Sequence, residues 1–244
     1  MEEMKMNETA VNQENEGEKI IPVPDAGADG EERGDLEAVP LDITVILDRS
    51  GSMDAIRDDA IGSFNAFLRE RKAKNPESKM SLVLFDDEYE IMHTGVPIQS
   101  VDPLNDATYI PRGSTALLDA IGRTIRTIEE RSHEDEEVLV AVLTDGQENA
   151  SVRYRLEQIR ELICEKESRD WDFVYLSADP SAFSDASTMG FATSRTARFR
   201  KENIGEAYDE MNSLLEMKRD KARIIKRMKA EQRDRTEDVD CIYQ

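Results

Sequence analysis

Three short segments of this sequence carry oxygen-bearing side chains at spacings suited to holding a hard cation. The first is Asp48-Arg49-Ser50-Gly51-Ser52, with Asp48, Ser50 and Ser52 at every second position. One carboxylate and two hydroxyls turn inward together if Gly51 lets the backbone curl around an ion. The second, Arg112-Gly113-Ser114-Thr115-Ala116-Leu117, is a glycine-loosened loop that can lean the Thr115 hydroxyl over the same point. The third, Leu143-Thr144-Asp145-Gly146, adds a second carboxylate. Asp48, Ser50, Ser52, Thr115 and Asp145 thus supply five oxygens. Mg²⁺ takes near-octahedral oxygen coordination at about 2.0–2.1 Å, with water filling gaps, so at least one position stays open. Two carboxylates cancel a divalent charge and hydroxyls add none. A carboxylate arriving from another molecule would therefore meet an electrophilic ion. The expected cofactor is Mg²⁺, with Mn²⁺ or Ca²⁺ as the alternative hard ions, and the open position suits an acid.

These residues need a scaffold that brings three distant segments to one edge. Ile43 to Leu47 form a β-branched, nearly continuous apolar run ending at Asp48, which reads as a strand buried on both faces. Similar runs lie at Met80 to Phe85, Val138 to Leu143 and Phe173 to Leu176, with a last strand near Arg195 to Phe199. Between them, Ile61, Phe64, Phe67 and Leu68, then Leu117, Leu118, Ile121, Ile125 and Ile128, then Val152, Leu156, Ile159 and Ile163 recur at helical spacing. Strands alternating with helices predict a doubly wound α/β fold with a mostly parallel sheet and helices on both faces. Only Asp86-Asp87-Glu88 separate Phe85 from a strand at Tyr89 to His93, too few for a crossover, so that pair predicts an antiparallel edge. Ligands of such sheets bind outside the carboxyl ends of the strands, where Asp48 and Asp145 fall.

The ordered domain is expected over 41–215. Residues 1–38 hold twelve acids against three basic residues and no aromatic, a composition that predicts a disordered acidic tail; Arg33-Gly34-Asp35 within it is given no role. A long helix is expected from about Glu202, its first half packing through Tyr208, Met211 and Leu215. From residue 216 to 235 nine basic and four acidic side chains follow, so 216–244 reads as a basic helical extension and tail. Its stripe of Leu214, Met217, Ile224 and Met228 is interrupted by Lys221 and barely covers two heptads, a weak coiled-coil signal. The whole chain sums to −21 from 32 basic and 53 acidic residues among 244, which disfavours nucleic acid and anionic membranes as partners. Two cysteines, an acidic N-terminus and no apolar stretch near the roughly 20 residues of a membrane span predict a soluble, cytoplasmic protein. Cys164, beside Leu162 and Ile163, reads as a buried thiol and Cys241 as an exposed one. His93 and His133 read as surface residues, and Trp171 as a packing residue at a strand start.

Asp-x-Ser-x-Ser after a buried first strand, a threonine in Gly-Ser-Thr-Ala-Leu, and an aspartate in Leu-Thr-Asp-Gly together resemble the metal-ion-dependent adhesion site of von Willebrand factor A domains. The resemblance implies that Ser50, Ser52 and Thr115 contact the metal through hydroxyls, and that Asp48 and Asp145 bind it directly or through water. It is nearest to intracellular bacterial and phage versions, through Thr144-Asp145-Gly146-Gln147-Glu148-Asn149 and Trp171-Asp172-Phe173-Val174-Tyr175-Leu176. Many of those work beside AAA+ ATPases, which the resemblance admits as a partner class. Integrin β-subunits carry two further aspartates where Ala55 and Ile56 stand here, so a second regulatory metal is not supported. Glu148 and Asn149 read as helix-capping residues.

The resemblance implies a non-enzymatic protein-binding module. The alternative is a Mg²⁺-dependent, phosphatase-like phosphoryl-transfer enzyme using the same strand-end carboxylates. Against it, Ser50 stands where haloacid-dehalogenase-like phosphatases carry a second aspartate, and no lysine is evident after a later strand end, Asp179 occupying the nearest such place.

Overall fold

Leu41–Asp48 forms β1, and all eight of its residues are buried. The rest of the sheet is β2 (Lys79–Phe85), β3 (Tyr89–Pro97), β4 (Glu137–Thr144), β5 (Asp172–Ser177) and β6 (Thr196–Arg198). This computed structural model describes residues 40–132, 136–201 and 203–240; the expected acidic tail at 1–38, His133 and Cys241 lie outside them. The strand order is β3-β2-β1-β4-β5-β6. Every pairing is parallel except β2 with β3, the predicted antiparallel edge. The chain winds outward from β1 through β2 to β3, then returns to lay β4 against the other side of β1. The sheet therefore changes winding direction between β1 and β4, the place where doubly wound sheets open a crevice at their carboxyl ends.

Both faces of the sheet are covered, which is why its strands read as unbroken apolar runs. On one face Ile43, Val45, Leu47, Leu84, Ala141 and Leu143 pack under α1 (Arg57–Lys74) and α5 (Gly205–Asp240). Tyr208 of α5 sits against Phe67 at 5.3 Å and edge-on to Phe64 at 6.3 Å between ring centres, and Met211 and Leu215 are buried as expected. On the other face Ile46, Val140, Val142, Phe173 and Tyr175 pack under α2 (Leu117–Glu129), α3 (Leu156–Glu167) and α4 (Ala182–Met189). Trp171 is buried and stacks on Phe173. Among the described residues no helix is long and apolar enough to cross a membrane.

Two local expectations are corrected. Val152 lies in the loop before α3 and is 88% exposed, so it takes no part in that helix's apolar face. Cys164 is exposed; one residue past the buried Ile163, it is turned about 100° around the helix and points outward. The long helix expected from about Glu202 is α5, which starts at Gly205 and leaves Met217, Ile224 and Met228 exposed.

The stretch between β4 and α3 has no regular structure, yet it is fixed. The Asp119 carboxylate of α2 accepts the amides of Val152 at 3.1 Å, Arg153 at 2.9 Å and Tyr154 at 2.8 Å. Gly122, one turn on, leaves space for the Tyr154 ring, which a Cβ there would approach to 2.6 Å. This anchor holds a loop that returns to the carboxyl edge of the sheet. Asp119→Ala leaves three amides without their acceptor and is expected to destabilise the fold by about 2–4 kcal/mol. Urea unfolding measures it, and a loss within about 0.5 kcal/mol of zero, the range of an inert surface change, would show the loop to be held by other contacts.

Candidate metal site

Leu47 of β1 pairs with Leu143 of β4, so the next residues bring Asp48 beside Thr144 and Asp145 at one edge. Asp48 is fully buried. Its Oδ1 accepts the Ser50 amide at 2.6 Å, and its Oδ2 accepts the Thr144 hydroxyl at 2.6 Å. Burial dominates those two bonds and pushes the Asp48 carboxyl from 3.8 up to about 6. The Tyr109 hydroxyl donates to the Asp48 carbonyl at 2.6 Å and fixes the strand end from behind. Arg49 points away from this carboxylate, with its guanidinium on Asp86 at 3.0 Å and on Glu90.

The loop carrying Thr115 is tied directly to the loop carrying the serines. The Gly51 amide donates to the Gly113 carbonyl at 3.2 Å, and the Arg112 amide to the Arg49 carbonyl at 2.8 Å. Gly113 has φ +65, a conformation that strains a residue with a side chain, and a Cβ there would displace the Asp87 carboxylate. Asn149 reaches across from the third segment: its Oδ1 accepts the Thr115 amide at 2.9 Å, and its own amide donates to the Thr115 carbonyl at 3.0 Å. Glu148 accepts the Leu118 amide at 2.9 Å. This corrects the reading of the pair as an N-cap and first-turn acid of their own helix: the next helix, α3, is capped by Arg155, and Glu148 instead caps the start of α2 from the neighbouring loop while Asn149 sets the position of Thr115.

All five expected ligands converge. The Ser50 and Ser52 hydroxyls lie 3.2 Å apart, and Ser52 donates to Asp145 Oδ1 at 2.5 Å. A Cβ on Gly146 would sit 3.5 Å from Thr115 Oγ1 and 3.6 Å from Ser52 Oγ, which places both hydroxyls around that glycine. The remaining oxygen of Asp145 holds Lys201, with Nζ to Oδ2 at 2.7 Å. This corrects the expectation that no lysine follows a later strand end, since Lys201 lies in the turn after β6.

The donor set is two carboxylates and three hydroxyls, all hard oxygens of the kind Mg²⁺ takes. Lys201 already shows that the pocket draws a cation onto Asp145. The residues therefore fit a hard divalent ion. Among the described residues no group of three or more His, Cys, Asp or Glu gathers as a metal cluster.

Because the folded chain binds the Asp48 proton more tightly than the unfolded chain does, this group's contribution to stability is complete below its unfolded value. It is lost as pH rises through the folded one. In divalent-free buffer, the melting temperature of Asp48→Asn is therefore expected to gain on wild type as pH rises from 3.8 through 6. A pH-independent difference between the two melting curves would show that Asp48 titrates normally.

No family model and no curated protein matches this sequence. Solved structures do. The vWF domain of the type V pili tip protein Mfa5 from Porphyromonas gingivalis aligns with a TM-score of 0.55 at 10% identity, over 75% of this chain and 97% of that one. Proximal thread matrix protein 1 from the mussel byssus aligns with a TM-score of 0.54 at 16% identity, over 71% of this chain and 46% of that one. The pilus adhesin SpaC from Lactobacillus rhamnosus GG gives 0.54 at 10% identity, over 72% of this chain and 30% of that one. This chain thus spans less than half the length of the mussel and Lactobacillus chains. At these identities the likeness is one of fold, and the fold of this chain is that of the von Willebrand factor A domain.

Proposed function

We propose that this chain is a divalent-cation-dependent, non-enzymatic protein-binding module. Asp48, Ser50, Ser52, Thr115 and Asp145 hold Mg²⁺, and a partner protein presents an Asp or Glu side chain to it. The observation that carries this reading is the convergence of two buried carboxylates and three hydroxyls at the sheet's switch point. A bound Mg²⁺ supplies a Lewis-acidic point charge that an acidic side chain completes. The chain's own residues do the rest. Thr144 and the Ser50 amide orient Asp48, Asn149 orients Thr115, and the flanking loops set which acidic partners fit. Neighbours of the same fold named for a pilus tip and a pilus adhesin agree with an interaction module.

The phosphoryl-transfer alternative gains one observation, the Lys201 ammonium beside Asp145. It loses more than it gains. Both oxygens of Asp48 are engaged and the side chain is enclosed, so Asp48 is not a free nucleophile. Ser50 stands where a second aspartate would handle the leaving group. Incubation with a generic phosphate ester and Mg²⁺ is expected to give no turnover, and steady turnover abolished by Asp48→Ala would reverse this ranking.

Asp145→Ala is expected to abolish Mg²⁺ binding by calorimetry while leaving a cooperative melt. Wild-type affinity in that variant would remove Asp145 from the site. A pull-down from native lysate is expected to retain a partner in Mg²⁺ and to lose it in EDTA or with Asp48→Ala. Thr115→Ala is expected to keep measurable Mg²⁺ binding and to weaken retention of that partner. Retention indifferent to both metal and mutation would move the interaction away from this edge.

A further inference from the structure

Lys201 is a built part of this edge. Its side chain is 44% exposed, while the Asp145 side chain it contacts is 0% exposed, so the ammonium reaches inward onto an enclosed carboxylate. The backbone holds it there. The Phe199 amide donates to the Ser177 carbonyl at 3.1 Å at the end of β5, and the Asn203 amide donates back to the Arg200 carbonyl at 2.8 Å. Lys201 therefore rides on a tight turn between two buried anchors, Phe199 and Ile204. An enclosed carboxylate without a counter-charge is costly, and truncating one partner of a buried pair exposes that cost. Lys201 provides the counter-charge for Asp145, whose other oxygen is neutralised only in part by the Ser52 hydroxyl.

An ammonium and a divalent ion on the same carboxylate repel each other, so each weakens the binding of the other to Asp145. We propose that Lys201 is an internal competitor of the divalent ion: it neutralises Asp145 in the metal-free chain and is displaced when the ion binds. The inference rests on the metal-site reading above and adds its regulation. The ion must first outcompete a tethered cation, which raises the concentration at which the site loads and leaves the site charge-balanced when the ion is scarce. Displacement also frees one positive charge at the mouth of the site, where an acidic partner approaches.

The test uses the full chain, MgCl₂ alone as probe, and the variants Lys201→Met and Lys201→Arg. By calorimetry Lys201→Met is expected to bind Mg²⁺ up to about five-fold more tightly than wild type, the scale of removing one partly exposed ionic competitor. In EDTA the same variant is expected to melt below wild type, with Mg²⁺ raising its melting temperature more than it raises that of wild type. Lys201→Arg keeps the charge and is expected to follow wild type. A second readout needs no variant: acylation of the Lys201 amine, followed by mass spectrometry, is expected to rise when Mg²⁺ is added to the wild-type chain. If wild type binds Mg²⁺ but Lys201→Met binds it no more tightly and Lys201 acylation ignores Mg²⁺, competition is overturned and the metal site stands. If neither chain binds Mg²⁺, the metal-site reading and the competition fail together.

Discussion

The parallel pairing of β1 with β4 is the constraint on which the rest of this molecule depends. Their register, Leu47 against Leu143, sets Asp48, the last residue of β1, level with Thr144 and one residue short of Asp145. Because the chain reverses its winding direction between these two strands, no connection crosses over their carboxyl ends, and the edge stays open. Two carboxylates, Asp48 and Asp145, are thereby forced together in an enclosed place. The loop after β1 then supplies the Ser50 and Ser52 hydroxyls, and the segment before α2 supplies that of Thr115.

Enclosing two carboxylates works against stability, and the surrounding contacts read as responses to that cost. Thr144 and the Ser50 amide satisfy Asp48, yet burial still holds its carboxyl up near 6. Asp145 takes the Ser52 hydroxyl and the Lys201 ammonium. The second tier is equally specific. Tyr109 pins the end of β1, Asn149 brackets Thr115 through both its amide and carbonyl, and Asp119 fixes the irregular loop from which Asn149 projects. A fold that only needed stability would fill this edge with apolar side chains. Local cost concentrated at one strand edge is the usual mark of a site kept for binding.

Much of this was legible in the sequence because its signals were local. Strands covered on both faces must be apolar throughout, so Ile43 to Leu47 and Val138 to Leu143 stood out, and three residues between Phe85 and Tyr89 left only a hairpin. The five ligand candidates were legible for the same reason, since each motif directly follows a strand end or precedes a helix. What was not legible depends on contacts between distant segments. Lys201 lies 56 residues from Asp145 and follows a strand of only three residues. Glu148 and Asn149 carried the signal of a helix start, but the next helix begins only at Leu156, and they act across the edge on Leu118 and Thr115 instead. Val152 matched a helical spacing while its backbone was claimed by Asp119. Cys164 followed two apolar neighbours yet faces outward, because helical rotation between adjacent residues outweighs neighbour identity. The short helix α4, built from small and polar residues such as Ala182, Ser184, Ala186 and Ser187, offered little apolar periodicity to read.

The carboxyl edge between β1 and β4 is proposed to hold a divalent ion. Anomalous diffraction from crystals grown with Mn²⁺ tests it without reference to any partner. A single strong peak enclosed by Asp48, Ser50, Ser52, Thr115 and Asp145, at metal–oxygen bonding distance, is the expected result. Crystals with the edge free of packing contacts and no peak there, or with Lys201 still on Asp145 and the ion bound elsewhere, would contradict it.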